Sequence, residues 1–316
     1  MKNALLFRLG GLGDLLIALP SIQLLRRKHP AANLTLVCRK TYGQLLEEAG
    51  IINNVLEADS RRLLPLFSGA LDPAAEPVRW LEEFDSIIGW FSEKKALTLE
   101  KNLGSICPVA CVFFYYDARS RQPMSRFFFQ KTLKDCLKEG REAVSFEECA
   151  LLRLPSIDRA GALGKEMTEE IPAKFVVVHP GSGNEEKCWP IHNFLEVIER
   201  LDRKKVGGVV VTGEAEERMR IILKKASLPL GWSWVHLPSL NTLSRLLVEA
   251  DLYFGNDSGV THLAAACGTE VLCLFRKDLE VAWGPCGRVH LLSAESVSDI
   301  DSDHVWAKIC VLLQLS

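Results

Sequence analysis

Short apolar runs alternate along the chain with small-residue turns and with stretches whose apolar positions recur every three to four residues. This is the pattern of strands buried on both faces that feed amphipathic helices. Residues 4–9 form the first such run, which ends in Gly10-Gly11-Leu12-Gly13-Asp14. An apolar-periodic helix is predicted over residues 15–28. Pro20 has no N–H to donate, which places it near a helix start or at a kink. Residues 34–38 and 55–57 read as strands with a helix at 43–49 between them, and 86–90 and 109–116 as further strands. An amphipathic helix is predicted over 127–138.

After a mixed stretch at 151–174, which carries Pro155 and Pro172 and reads as a linker, the pattern restarts. Strands are predicted at 175–178, 208–211, 234–237, 252–254 and 271–275. Helices are predicted at 191–201, opened by Pro190, at 243–250, from about Val260, and at 305–315. Alternation of this kind through both halves predicts the α/β class, with two Rossmann-like β/α/β domains, 1–160 and 161–316. No repeat or low-complexity tract interrupts it.

At 316 residues, 48% of them hydrophobic, the chain can fill two cores. Its 38 basic and 40 acidic side chains give a formal charge of −2, so nothing in the overall balance points to nucleic acid. Ten cysteines are scattered without paired metal-ligand spacing and read as reduced core thiols of a cytoplasmic protein. The closest pair, Cys107 and Cys111, has no His or second Cys pair nearby. Arg8 and Asp14 interrupt the opening apolar residues before a signal-peptide core forms. The uncharged stretch 109–116 is far too short to span a bilayer, so any membrane contact is expected to be peripheral.

Candidate chemistry gathers at the predicted carboxyl ends of strands, where open α/β sheets bind ligands. Asp14 reads either as a helix N-cap or as a general base on the first glycine-rich turn. His179-Pro180-Gly181-Ser182-Gly183 has the shape of a phosphate site. Lys187 behind it is either a solvated surface lysine or the cation that neutralises a diphosphate leaving group. Gly255-Asn256-Asp257-Ser258-Gly259, leading into a helix that carries His262, is a strand-to-helix turn whose amides and dipole face an anion. The acidic run Glu214, Glu216 and Glu217 either favours a helix start or holds ribose hydroxyls. Arg119, Arg121 and Arg126 read as a solvated loop, or together with Arg61 and Arg62 as a clamp over one cleft edge for an anionic acceptor.

The segments RLGGLGDLLIALPSIQLLRRKHP, HPGSGNEEKCWP and above all GNDSGVTHLAAACGTEVLCLF, in this order, together resemble the ADP-heptose:lipopolysaccharide heptosyltransferases, glycosyltransferase family nine. The likeness covers nearly the whole chain. It implies the GT-B fold, two Rossmann-like domains facing a central cleft, with the acceptor on the first and the donor on the second. An arrangement in which the terminal helix returns to the first domain is left open. The resemblance further implies transfer of heptose from ADP-heptose to the inner core of lipopolysaccharide, a Kdo or heptose acceptor, with inversion and without a metal or other cofactor. By position, Asp14 matches the family's base and Lys187 the lysine at the departing diphosphate. Ser182, Gly183, Asp257, Ser258, Gly259 and His262 match donor contacts, and Glu217 the residue that grips the adenosine ribose. Gly11, Arg61, Arg62, Arg119 and Arg121 are the expected acceptor side.

The expected partners are a nucleotide-sugar donor and a lipopolysaccharide core or lipid A acceptor at the inner-membrane surface, with no nucleic acid, and the chain is expected to be a cytoplasmic monomer attached peripherally to that face. Where family members turn through Gly-Pro after the central motif, this chain has Arg276 and Lys277. A different donor or acceptor on the same fold, a non-catalytic nucleotide-sugar-binding protein, and a sugar-nucleotide epimerase are the alternatives.

Overall fold

The computed structural model describes residues 1–67, 76–91, 97–106, 110–138, 144–154, 174–213 and 217–315. They divide into two units, Met1–Ala150 and Leu151–Ser316. At the start of the second unit the Leu152 N–H donates to Ala266 O at 2.6 Å. Pro155, Pro172, Glu214, Glu216 and Cys107 lie outside the described residues.

The first unit is built on β1 (Asn3–Phe7), β2 (Asn33–Cys38), β3 (Asn54–Glu57), β4 (Ser86–Phe91) and β5 (Ala110–Tyr115). They form one parallel sheet in the order β3-β2-β1-β4-β5. The apolar run of β1 takes the centre, with Leu5 opposite Thr35 on one side and Ile87 on the other. Parallel neighbours require crossover segments, supplied among the described residues by α1 (Leu12–Lys28), α2 (Lys40–Glu48), α3 (Leu64–Phe67) and α4 (Leu97–Ile106). The helices α5 (Met124–Lys131) and α6 (Phe146–Ala150) follow the last strand and pack on α1. Strand order reverses between β1 and β4, which makes the carboxyl ends of these two strands the unit's switch point.

Local details refine the expected helices of this unit. α1 begins at Leu12, with Gly11 as its N-cap, so Asp14 occupies the third helical position and is not the cap. Pro20 lies inside this helix among buried neighbours, and the helix continues through it. The helix expected over 127–138 starts earlier, at Met124, and ends in a π turn, Thr132–Cys136. At that turn the Thr132 hydroxyl donates to Phe128 O while the Leu137 N–H reaches Thr132 O, so the ladder widens by one residue.

The second unit carries β6 (Phe175–His179), β7 (Gly207–Thr212), β8 (Trp232–His236), β9 (Leu252–Asn256), β10 (Val271–Arg276) and β11 (Val289–Ala294). They form a parallel sheet in the order β11-β10-β9-β6-β7-β8, with its switch point between β6 and β9. Its helices are α7 (Ile191–Arg203), α8 (Glu217–Lys225), α9 (Leu240–Glu249), α10 (Gly259–Ala266), α11 (Glu280–Trp283) and α12 (Ser302–Leu313). Val176, Val178, Phe254, Leu272 and Leu274 of the strands meet Trp189 and Phe194 in the core. Trp189 stands edge-on to Phe194 at 5.2 Å, and Phe194 tilts against Phe254 at 4.9 Å. The terminal helix α12 buries Val305, Ile309 and Leu313 in this same core and touches α7. These side chains of the helix are thus covered within the second unit.

Candidate active site

In the first unit the site starts from Arg8, the residue that follows β1. Its guanidinium is buried, and burial lowers its pKa against the raising effect of Asp14. Nε donates to Asp14 O at 2.6 Å, Nη1 to Trp90 O at 3.0 Å, and Nη2 to Asp14 Oδ1 at 2.8 Å. One planar fork therefore ties the end of β1 to the end of β4 and to the first turn of α1. The other carboxylate oxygen, Oδ2, accepts from the Gly11 N–H at 2.9 Å. Asp14 is held on both oxygens, yet its side chain remains 27% exposed, open to a hydroxyl from solvent. Gly10 makes this possible: its φ of +121° suits glycine, and a Cβ there would lie 2.5 Å from Asp14 Oδ2.

The expected acceptor arginines do not form one group. Arg61 and Arg62 follow β3 and Arg119 and Arg121 follow β5, the opposite edge strands of the sheet. Four strand spacings of ~4.8 Å put roughly 19 Å between those edges. Arg119 is moreover chelated by Asp117 through Nε and Nη2, each at 3.0 Å. Arg126 lies with Glu147 at 2.7 Å and over the Phe146 ring, part of the packing of α5 on α6.

In the second unit the ends of β6 and β9 bring together nearly all the expected donor residues. Asn256, buried at the end of β9, is the fastener: its Nδ2 donates to Pro180 O at 2.6 Å and its Oδ1 accepts from the Trp189 N–H at 3.1 Å. One amide thus pins both ends of the loop that carries Ser182 and Lys187. Ser182 Oγ donates to Asp257 O at 2.7 Å, and Lys187 Nζ meets Asp257 Oδ2 at 2.6 Å. Ser258 caps α10 by accepting from the Thr261 N–H at 3.3 Å, which leaves the first amides of the helix directed out of its start. The Thr261 hydroxyl in turn donates to Asn256 O, closing the turn from behind.

His262 is buried on the first turn of α10, Gly259 opens that helix, and Gly183 sits exposed where a Cβ would meet nothing within 4 Å. His179 Nδ1 donates to Val211 O at 2.9 Å, fixing its ring beneath the loop. Glu217 opens α8, and its side chain lies outside what the structure describes. Among the described residues, no three His, Cys, Asp or Glu side chains group as metal ligands, and no helix is long and apolar enough to cross a membrane.

Arg8 and Asn256 are not singled out as site residues by their motifs, whereas Arg276 stands out where the family turns through Gly-Pro. Arg8 left one signal, a charge at the end of an otherwise apolar strand.

Residues 135–298 match the sequence pattern of glycosyltransferase family 9 (heptosyltransferase). Lipopolysaccharide heptosyltransferase 3 of Escherichia coli is 26% identical over 114 residues, 35% of this chain and 34% of that protein. The chain thus spans about a third of the length of that curated relative. Among solved structures, a family 9 glycosyltransferase from Veillonella parvula superposes with a TM-score of 0.78 at 16% identity, over 99% of this chain and 97% of the other. E. coli ADP-heptose lipopolysaccharide heptosyltransferase II gives 0.74 at 14%, over 99% of each chain. E. coli heptosyltransferase WaaC with ADP gives 0.69 at 15%, over 98% of this chain and 100% of that one. Those structures share the GT-B fold with it, and with the match over half its length the chain belongs to glycosyltransferase family 9, the heptosyltransferases.

Proposed function

We propose that the protein is an inverting glycosyltransferase that moves heptose from ADP-heptose to a Kdo or heptose of the lipopolysaccharide inner core, without a metal ion. The observation that carries this reading is the cation Lys187 poised beside the capped start of α10 at the switch point of the second sheet. E. coli WaaC, similar in fold, was solved with ADP and with ADP-2-deoxy-2-fluoro heptose.

The chemistry divides between the two units. Asp14, aimed by Arg8 and the Gly11 amide, takes the proton of the acceptor hydroxyl, and the freed oxygen attacks the anomeric carbon from the face opposite the diphosphate. The bond from that carbon to the diphosphate oxygen breaks as the new one forms, which inverts the centre. Lys187 and the amides at the start of α10, with Ser182 and Gly183 on the facing loop, take up the charge of the departing ADP. Glu217 would hold the ribose, and His262 would line the donor turn. Gly11, Arg61 and Arg62 would face the acceptor, an anionic lipid presented at the cytoplasmic surface of the inner membrane to a monomer attached peripherally.

Calorimetric titration with ADP-heptose, ADP, UDP and GDP, first without metal and then with magnesium, tests the donor half. Metal-independent selectivity for the ADP ligands, followed by transfer onto a Kdo-bearing lipid, is the expected result. Preference for UDP or GDP would overturn the donor assignment.

A further inference from the structure

The proposed reaction leaves one guanidinium at this site unused. β10 lies beside β9 with Leu274 opposite Asn256, and the Asp257 N–H donates to Leu274 O at 3.1 Å. Arg276 therefore leaves the sheet next to the turn that holds Asp257 and Ser258. Its Nε and Nη2 donate to the two oxygens of Asp278, each at 2.7 Å, and Nη1 stands 3.6 Å from Glu186 Oε2. Glu186 is the chain neighbour of Lys187. The two cations at this edge thus both hold carboxylates, but of different kinds. Asp257, the partner of Lys187, is 8% exposed, whereas Asp278 and Glu186 are 55% and 75% exposed.

That asymmetry decides which cation can change partners. Solvated ion pairs are weak, and a planar guanidinium binds a phosphate oxygen pair at least as well as a carboxylate. A diphosphate at the start of α10 would bring a larger charge than either exposed carboxylate. We propose that Arg276 is a second diphosphate-binding residue, held at the mouth of the site by Asp278 and Glu186 and passed to the phosphate when a nucleoside diphosphate binds. The inference rests on the reading of this turn as a diphosphate site. It makes the residue a sensor of the second phosphate, separating nucleoside diphosphates from monophosphates. Lys277, which points to Glu295 at 3.9 Å, takes no part.

The test is calorimetry on the full chain with ADP, UDP, AMP and inorganic pyrophosphate, for the wild type, Arg276→Ala, Arg276→Lys and Asp278→Asn. Loss of one charge-assisted contact predicts that Arg276→Ala weakens the preferred diphosphate on the order of tenfold or more while AMP changes little. Arg276→Lys recovers part of the loss, and Asp278→Asn, which removes the competing carboxylate, tightens the diphosphate. Equal losses for AMP and diphosphate, or an unchanged diphosphate affinity in a folded Arg276→Ala chain, overturn the inference. Should Arg276→Ala fail to fold, the Arg276→Lys and Asp278→Asn pair decides by the same ratio. A wild type that prefers UDP sinks the ADP-heptose reading and leaves Arg276 to be judged on UDP and pyrophosphate. A wild type that binds none of the diphosphates sinks both.

Discussion

Lys187 Nζ sits 2.6 Å from Oδ2 of Asp257, a carboxylate that is 8% exposed while the lysine is 28% exposed. Taking away the lysine strands the carboxylate without its counter-ion. Lys187→Ala should therefore lose about 2 kcal/mol of stability in urea, below the cost of breaking a fully buried pair because the lysine is partly solvated. It should also weaken ADP binding and turnover together. Adding Asp257→Asn should restore stability and not turnover, since the amide no longer needs a cation but the leaving group still does. Unchanged ADP binding in Lys187→Ala would return the residue to the solvated surface.

Asp14 owes its aim to Arg8, and the two positions should fail differently. Asp14→Asn keeps hydrogen-bonding shape but cannot accept the proton, so turnover should fall by roughly two orders of magnitude or more with the ADP affinity intact. Arg8→Lys keeps the charge but cannot reach Asp14 O, Asp14 Oδ1 and Trp90 O at once. It should lower kcat about tenfold and destabilise the first unit by about 3 kcal/mol, as buried charge pairs do when disrupted. Equal kinetics of the wild type and Arg8→Lys would show that the carboxylate is placed without the fork.

The strands and the principal helices were legible because β1, β6, β7, β9 and β10 are buried on both faces and read as unbroken apolar runs. β11 was missed because it is an edge strand whose side chains are only partly covered, which removes the run. That Ser182, Lys187, Asp257 and Ser258 come together was legible because they lie on two compact turns whose composition alone speaks of anions. The arginine clamp draws on loops that linear distance cannot place, since β3 and β5 are the opposite edges of the sheet. Asn256 escaped because its two bonds, to Pro180 and Trp189, are long-range, and only the pairing of β6 with β9 creates them.

Burial pushes the thiols of Cys38, Cys136 and Cys267 up to about 12 from an ordinary 9.0, with Glu57 adding to the shift at Cys38 and Asp135 at Cys136. Each group has a higher pKa folded than unfolded, so its contribution is fully present below pH 9.0 and is lost as the pH rises toward 12. The melting temperature should accordingly hold steady to about pH 8 and fall beyond the ordinary thiol pKa. Cys267→Ala should flatten part of that fall in a pH series of thermal melts. A variant whose slope matches the wild type would show that this thiol does not titrate on unfolding.

Asn256 offers the sharpest separation of structure from chemistry in the second unit, because it holds the loop and touches no charged group of the site. Asn256→Ala leaves Pro180 O and the Trp189 N–H buried without their partner, at a cost of about 1–3 kcal/mol for each. The loop between them carries Ser182 and Lys187, so its freed ends should let those side chains wander from the start of α10. Hydrogen exchange should then speed up at the Trp189 amide, and ADP affinity should fall with it. Asn256→Asp keeps the acceptor for the Trp189 N–H but loses the donor to Pro180 O and brings a carboxylate into the core, so it should fare no better than alanine. A variant that exchanges faster at Trp189 yet binds ADP as the wild type does would show that the loop is positioned from its other contacts, Ser182 to Asp257 above all.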